Sequence, residues 1–432
     1  MLSPLRSVCM LVQNDYQCDS RVRRKAEALV AAGYSVDVLA LPSFQREKSY
    51  TLNGVNVYTL SLARKRGLLA RYLFEYAAFF LWALVRVSLQ MRWRRYAVLD
   101  VNTLPDFLIF APVVAKWMGA KLILDMHEIT PELYSSKYGI RANSWMLRLL
   151  KRLERMSFDF ADHVITVNDP IQDLLVDRGL PRSKSTVVMN TANEALWTSR
   201  SSSSNAPVAA PAPGKFVMMY HGTVSRMYGL DIGVDAFGMV HKEMPGAELW
   251  ILGVGAETTP LESRAKQRGL ASKVRLIPPV VSTELARWLS QCDIGILPMR
   301  GGVYPELAFP NKLSEYIVMG KPVVVSRLKA IQHHFSEEAL AYCGPNDPAD
   351  LAKQLVRLYR DPGLRARLAA RAKEEYAPIR WGVMRHRYLR LMEVMLDPGA
   401  ARQNGHALKQ PVCLDERSSL ARRIETRPSS WS

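Results

Sequence analysis

The chain has 432 residues, 48% of them hydrophobic and 23% charged, with a formal net charge of +18. That length exceeds one ordinary core and suits two α/β domains with extensions, and the composition excludes disordered and fibrous classes. The charge asks for a negative partner, anionic lipid or a phosphorylated substrate, while no zinc-finger spacing or basic–aromatic signature points to nucleic acid.

In chain order, Ser7–Val12 reads as a strand, Arg21–Ala32 as a helix closed by Gly33, and Ser35–Ala40 as the next strand. These form a βαβ unit with a right-handed connection. Apolar runs at Ala97–Val101, Lys121–Asp125, His163–Val167 and Thr186–Met189 continue the alternation, which means a parallel sheet covered by helices on both faces. Residues 1–197 are therefore expected to form one Rossmann-like domain. The Ser-, Pro- and Ala-rich stretch 198–214 reads as a linker. Strands at Phe216–Tyr220, Glu248–Leu252, Val274–Ile277, Ile294–Leu297 and Pro322–Ser326 restart the pattern in a second Rossmann-like domain, 215–380. Residues 381–396 read as a C-terminal helix that packs back on the first domain, and 397–432 as a disordered tail. The fold class is α/β, two doubly wound domains facing across a cleft.

The five cysteines are widely spaced, with no Cys-x-x-Cys pair, which suits a reducing cytoplasm. Ser7–Val12 lacks the basic flank and cleavage site of a secretory signal. Arg64 to Arg95 holds eight basic residues against Glu75 alone, around the apolar run Tyr72–Leu89. It reads either as a helix buried on the first sheet or as one that also engages anionic lipid. The expected location is cytoplasmic and peripheral, at the inner face of the membrane.

Parallel sheets bind ligands beyond the carboxyl ends of their strands. After Lys121–Asp125 comes Met126-His127-Glu128, where a histidine is either structural or an acid–base group tuned by Asp125 and Glu128. After Phe216–Tyr220 comes His221-Gly222-Thr223, whose glycine lets backbone amides approach phosphate, with Arg226 as a possible guanidinium partner. Leu252-Gly253-Val254-Gly255 is a similar turn. The most specific block is Phe309-Pro310-Asn311-Lys312-Leu313-Ser314-Glu315-Tyr316, running on to Gly320-Lys321-Pro322-Val323-Val324. Pro310 starts a helix with Lys312 and Glu315 on one face. That is either a solvated i,i+3 ion pair or a lysine for a diphosphate and a carboxylate for ribose hydroxyls.

Over roughly residues 7–395 these segments resemble the large fourth family of retaining GT-B glycosyltransferases. The resemblance implies a nucleoside-diphosphate sugar, UDP- or GDP-linked, in the second domain, and a glycan or polyprenyl-linked acceptor in the first. Glu315 would hold the donor ribose, and Lys312 and Arg226 would neutralise the leaving diphosphate. Gly222, Thr223, Gly253, Asn311 and Glu306 would line the donor site, and Pro278-Pro279-Val280 would meet the base. His127 resembles the family's active-site histidine, with Glu128 and Asn14 on the acceptor side. Three departures stand out. Glu306 and Glu315 are separated by eight residues rather than seven, Thr223 and Tyr228 replace an Arg and a Lys, and Gln13-Asn14-Asp15-Tyr16 replaces a glycine pair. No Asp-x-Asp occurs, so neither a metal nor another cofactor is expected. A nucleotide-sugar epimerase and a catalytically silent partner subunit remain as alternatives.

Overall fold

The computed structural model describes residues 6–43, 47–62, 69–140, 143–192, 194, 197, 214–280 and 282–397. The expected linker, apart from Gly214, and the expected tail beyond Asp397 lie outside the described residues, as do Arg64, Lys65 and Arg66.

The first domain contains β1 (Ser7–Asp15), α1 (Ser20–Ala31), β2 (Ser35–Leu41), β3 (Ser49–Leu52), β4 (Val55–Thr59) and α2 (Leu69–Arg94). It continues through β5 (Val98–Asn102), α3 (Val113–Trp117), β6 (Lys121–Met126), α4 (Thr130–Tyr138), α5 (Trp145–Phe160), β7 (His163–Thr166), α6 (Asp169–Asp177) and β8 (Ser185–Val187). Its sheet has the order β3-β4-β2-β1-β5-β6-β7-β8, all parallel except the β3/β4 hairpin at one edge. That hairpin is absent from the sequence reading. Its turn, Asn53-Gly54, has positive φ at both residues, as a tight two-residue connection requires.

The second domain contains β9 (Phe216–His221), α7 (Leu230–Val240), β10 (Ala247–Leu252), α8 (Thr258–Gln267), β11 (Val274–Ile277), α9 (Ser282–Ser290) and β12 (Ile294–Leu297). Then follow α10 (Asn311–Val318), β13 (Val323–Ser326), α11 (Lys329–Gln332), β14 (Ala341–Cys343), α12 (Pro348–Arg360) and α13 (Pro362–Tyr376). The sheet order is β11-β10-β9-β12-β13-β14, fully parallel. Strand order therefore reverses between β9 and β12, and in the first sheet between β1 and β5. Crevices at such switch points are where open α/β sheets take ligands.

The last helix, α14 (Trp381–Leu396), lies against α1 and β5. Tyr388 donates to Asp100 Oδ2 at 2.7 Å, and Trp381 stacks on the Arg24 guanidinium at 5.0 Å. A helix that follows the second domain thus completes the core of the first.

One face of α2, Glu75, Phe79, Ala83, Val87 and Met91 at four-residue spacing, is buried against the first sheet. The opposite face leaves Leu73, Phe74, Leu81, Val85, Leu89 and Trp93 exposed. Trp117 and Met118 of the α3 region, which packs on α2, are exposed too, as are Trp145, Leu149 and Met156 of α5. Several of the flanking bases are engaged within the domain. Arg71 pairs with Glu75, Arg86 lies over the Tyr58 ring at 4.6 Å, and Arg94 pairs with buried Asp37 at 3.0 Å. Arg92 and Arg95 are exposed.

Candidate active site

The ends of β1, β5 and β6 converge on a polar network that is almost wholly buried. Arg21, one residue into α1, makes a two-pronged contact with Asp125 at 2.7 and 3.0 Å. Lys25, one turn later, bonds Asp100 at 2.9 Å and Asn102 at 2.8 Å and also reaches Asp125. Two cations against two carboxylates leave the cluster formally neutral, the condition under which buried charges are tolerated. Burial pushes the Asp125 carboxyl up, but Arg21, Lys25 and His127 together outweigh it and hold it well below the usual carboxylate range.

His127 is fastened to this network. Its Nε2 lies 3.1 Å from Asn102 Oδ1 and 3.4 Å from Asp125 Oδ2. The Asn102 amide nitrogen already donates to the carbonyls of Leu11 and Asp100, so Oδ1 is the atom that faces the imidazole. Two oxygen neighbours assign the proton to Nε2, which leaves the Nδ1 lone pair for a ligand. Glu128, next in sequence, is half-buried, and desolvation raises its carboxyl above the usual range. It accepts a hydrogen bond from Tyr304 of the second domain.

Across the cleft, the turn after β9 lies against α10. Gly222 has φ of 107°, and a Cβ there would sit 2.5 Å from Lys312 Cε. The sequence reading of Lys312 as half of an i,i+3 ion pair does not describe this arrangement. Its Nζ sits instead 3.8 Å from the Tyr228 ring centroid and 5.5 Å from that of Tyr220. Glu315 accepts from the Asn311 amide at 3.0 Å and lies 3.4 Å from His221 Nε2. Burial pushes the Glu315 carboxyl up to about 7 against the opposing pull of Lys312 and Arg24, while burial and Lys312 lower His221 to about 3.

Between these walls lies a cavity of about 390 Å³, within the size range of small-molecule sites. Of the residues singled out from the sequence, Asn14, His127, Glu128, Asn311 and Lys312 line it. The others surround or miss it. Gly222 and Glu315 sit behind Lys312, whereas Thr223 and Arg226 are exposed and Val280 is half-buried beyond β11, all outside the lining. A Cβ on Gly253 would lie 1.9 Å from the Gly222 carbonyl oxygen, so this glycine is required for turn-on-turn packing. The Glu306 carboxylate accepts from the Lys329 amide at 2.9 Å and caps α11.

Sequence reasoning overlooked Arg21, Lys25, Asn102, Tyr228 and Tyr304. A usable signal was present for two of them: Arg21 and Lys25 stand four residues apart on a helix that follows the first strand, beside an acid at the end of β6.

Residues 18–191 match the Glycosyl transferase 4-like domain, and residues 215–361 match Glycosyl transferases group 1. The probable glycosyltransferase WbjE of Pseudomonas aeruginosa is 25% identical over 299 residues, covering 67% of this chain and 72% of its own. Among solved structures, sucrose-phosphate synthase from Thermosynechococcus elongatus superposes with a TM-score of 0.70 at 18% identity, covering 90% of this chain and 98% of that one. Anabaena HepE in complex with UDP superposes with a TM-score of 0.66 at 14% identity, covering 90% and 99%.

Proposed function

The chain belongs to the GT-B glycosyltransferases of the GT4 type, and from that premise we propose that it transfers a sugar, with retention, from a nucleoside-diphosphate donor to a glycan or lipid-linked acceptor. The observation that carries this reading is Lys312, its ammonium held between the Gly222 turn and the Tyr228 ring and facing the cavity that His127 closes from the other domain. HepE binds UDP on the same fold.

In this reading the donor ribose meets Glu315, and the diphosphate lies along the Gly222 turn beside Lys312. As the bond from the anomeric carbon to the diphosphate oxygen breaks, negative charge grows next to Lys312 and the backbone amides, which stabilise it without reorganising. The acceptor oxygen attacks the face from which the diphosphate departs, and its proton passes to a diphosphate oxygen. No side chain is thereby asked to act as a covalent nucleophile. His127, its ring held by Asn102 and Asp125, offers Nδ1 to a hydroxyl of the sugar or acceptor. The transfer step uses no metal.

Of the two acceptor classes, one carried on a membrane lipid is the reading that the exposed side chains support. The exposed apolar face of α2, with exposed Trp117 on the adjoining α3, combines bilayer-seeking side chains with a buried face that keeps the helix in the domain. By length and composition the segment Leu73–Arg94 also meets the criteria for a span, with 28% of its most apolar window buried. The buried face and internal pairs favour a helix lying in the interface over one that crosses.

The test is calorimetry with UDP and GDP, then a panel of nucleotide sugars with glycan and polyprenyl-phosphate acceptors, with the product anomer read by NMR. Retention at the anomeric carbon is the expected result. An inverted product, a sugar epimerised without acceptor, or nucleotide binding with no turnover across the panel each overturns the reading.

A further inference from the structure

Away from the cavity, three side chains from the two domains meet in an arrangement that transfer chemistry does not explain. Asp169 opens α6 in the first domain, and His333 and His334 follow α11 in the second. Nε2 of each imidazole lies 3.8 Å from Asp169 Oδ2, and the ring centroids are 4.8 Å apart at 84°. The three ligand atoms fall within 4.8 Å of one another. A separation of 3.8 Å is too long for a hydrogen bond. It is close to the ~3.4 Å edge of a tetrahedron whose metal–ligand bonds are about 2.0–2.2 Å. Nε2 of His334 is buried with no hydrogen-bond partner, and its side chain is only 8% exposed. Such an orphaned polar atom is costly unless something occupies it. An acid in the first turn of a helix is ordinary; two imidazole nitrogens converging on it are not.

We propose that Asp169, His333 and His334 bind a first-row divalent transition ion of the zinc class, which staples the two domains across the cleft. Two imidazoles and one carboxylate form a borderline-soft set suited to such an ion, with the fourth position left to water. Asp169 and His333 are partly exposed, so both can close the few tenths of an ångström that coordination needs. The staple sits where the domains already touch, since Asn168, beside Asp169, donates to the Leu307 carbonyl at 2.8 Å. It also connects to the cavity, because the Phe309 ring that lines it meets the His334 ring edge-on at 5.7 Å. The ion thus acts on the relative placement of the domains and takes no part in bond making.

The experiment is calorimetric titration of the metal-stripped full-length protein with ZnCl2, repeated for His333→Ala and Asp169→Asn. Both positions are partly exposed, so neither variant threatens folding. The wild type is expected to bind one zinc, to give the visible absorption of a four-coordinate site with CoCl2, and to melt higher with zinc. Each variant should bind zinc at least about 100-fold more weakly, since even the loss of a supporting partner costs 10–100-fold. Zinc binding that is absent, or unchanged in both variants, overturns the proposal. None of these readings depends on turnover, so they stand or fall separately from the glycosyl-transfer reading.

Discussion

Replacing Glu315 by glutamine is expected to stabilise the free protein while weakening its hold on the donor. In the folded chain, burial lifts this carboxyl from an ordinary 4.5 to about 7, with Lys312 and Arg24 only partly offsetting it. Below pH 4.5 the group is neutral in both folded and unfolded states and carries no penalty. Between pH 4.5 and about 7 the unfolded chain gives up this proton while the folded chain retains it, so stability is lost across that window and the loss is complete above it. The difference amounts to about 3 kcal/mol at full ionisation, an upper bound. Glutamine keeps the acceptor for Asn311, and its amide can donate to His221 Nε2, which is buried and unpartnered. The Gln variant should therefore come closest to the wild type in urea unfolding below pH 4.5, exceed it progressively up to about pH 7 and keep that advantage above it. Calorimetry with UDP should show the opposite preference. Loss of hydrogen bonds to a charged group, about 1.5–3 kcal/mol, weakens binding about 10- to 150-fold. A stability difference that does not vary with pH would refute the burial argument, and unchanged nucleotide affinity would remove Glu315 from the donor site.

Lys312→Met keeps the stem against Gly222 and Tyr228 but removes the charge, and should lower kcat by about 10²–10³, as loss of one transition-state donor does, with a smaller change in donor affinity; wild-type kinetics would leave Lys312 a packing residue. His127→Ala should melt close to the wild type yet lose most transfer activity, since the Arg21–Lys25–Asp125 network persists without it; a folding defect with no separate kinetic one makes the histidine structural. In the Asp169→Asn variant, which lacks the proposed inter-domain ion site, EDTA should leave transfer within the same order of magnitude, and strict dependence of that variant on added divalent ion counts against the mechanism proposed. Flotation with anionic liposomes should be salt-sensitive and weaker for Arg92→Glu/Arg95→Glu, each base contributing about 1 kcal/mol; Arg94 is spared because it pairs with Asp37. Indifference to both lipid charge and salt assigns α2 to the core alone.

The alternation of apolar runs with helical stretches by itself determined two parallel α/β domains, because strands buried on both faces must be continuously hydrophobic and their crossovers must be helices. Pro310 and Gly320 likewise marked the ends of α10 within a residue or two, since backbone constraints at caps are local. The hairpin at Asn53-Gly54 was equally legible, through its turn dipeptide, and was overlooked. Side-chain partnerships were not local, and only the tertiary structure decided them. Lys312 and Glu315 look like an ion pair along the helix, but the lysine lies on the Tyr228 ring from the loop after β9, and the glutamate accepts from Asn311 one turn earlier on α10. Glu306 looks like a sugar ligand by its distance from Glu315, yet its carboxylate caps α11. Arg21 and Lys25 look like a solvated basic face, yet they are buried because Asp100 and Asp125, far along the chain, supply the opposing charges that make burial tolerable. Spacing along a chain sets backbone geometry; which charge meets which depends on loops and strand order that bring distant residues into one low-dielectric place.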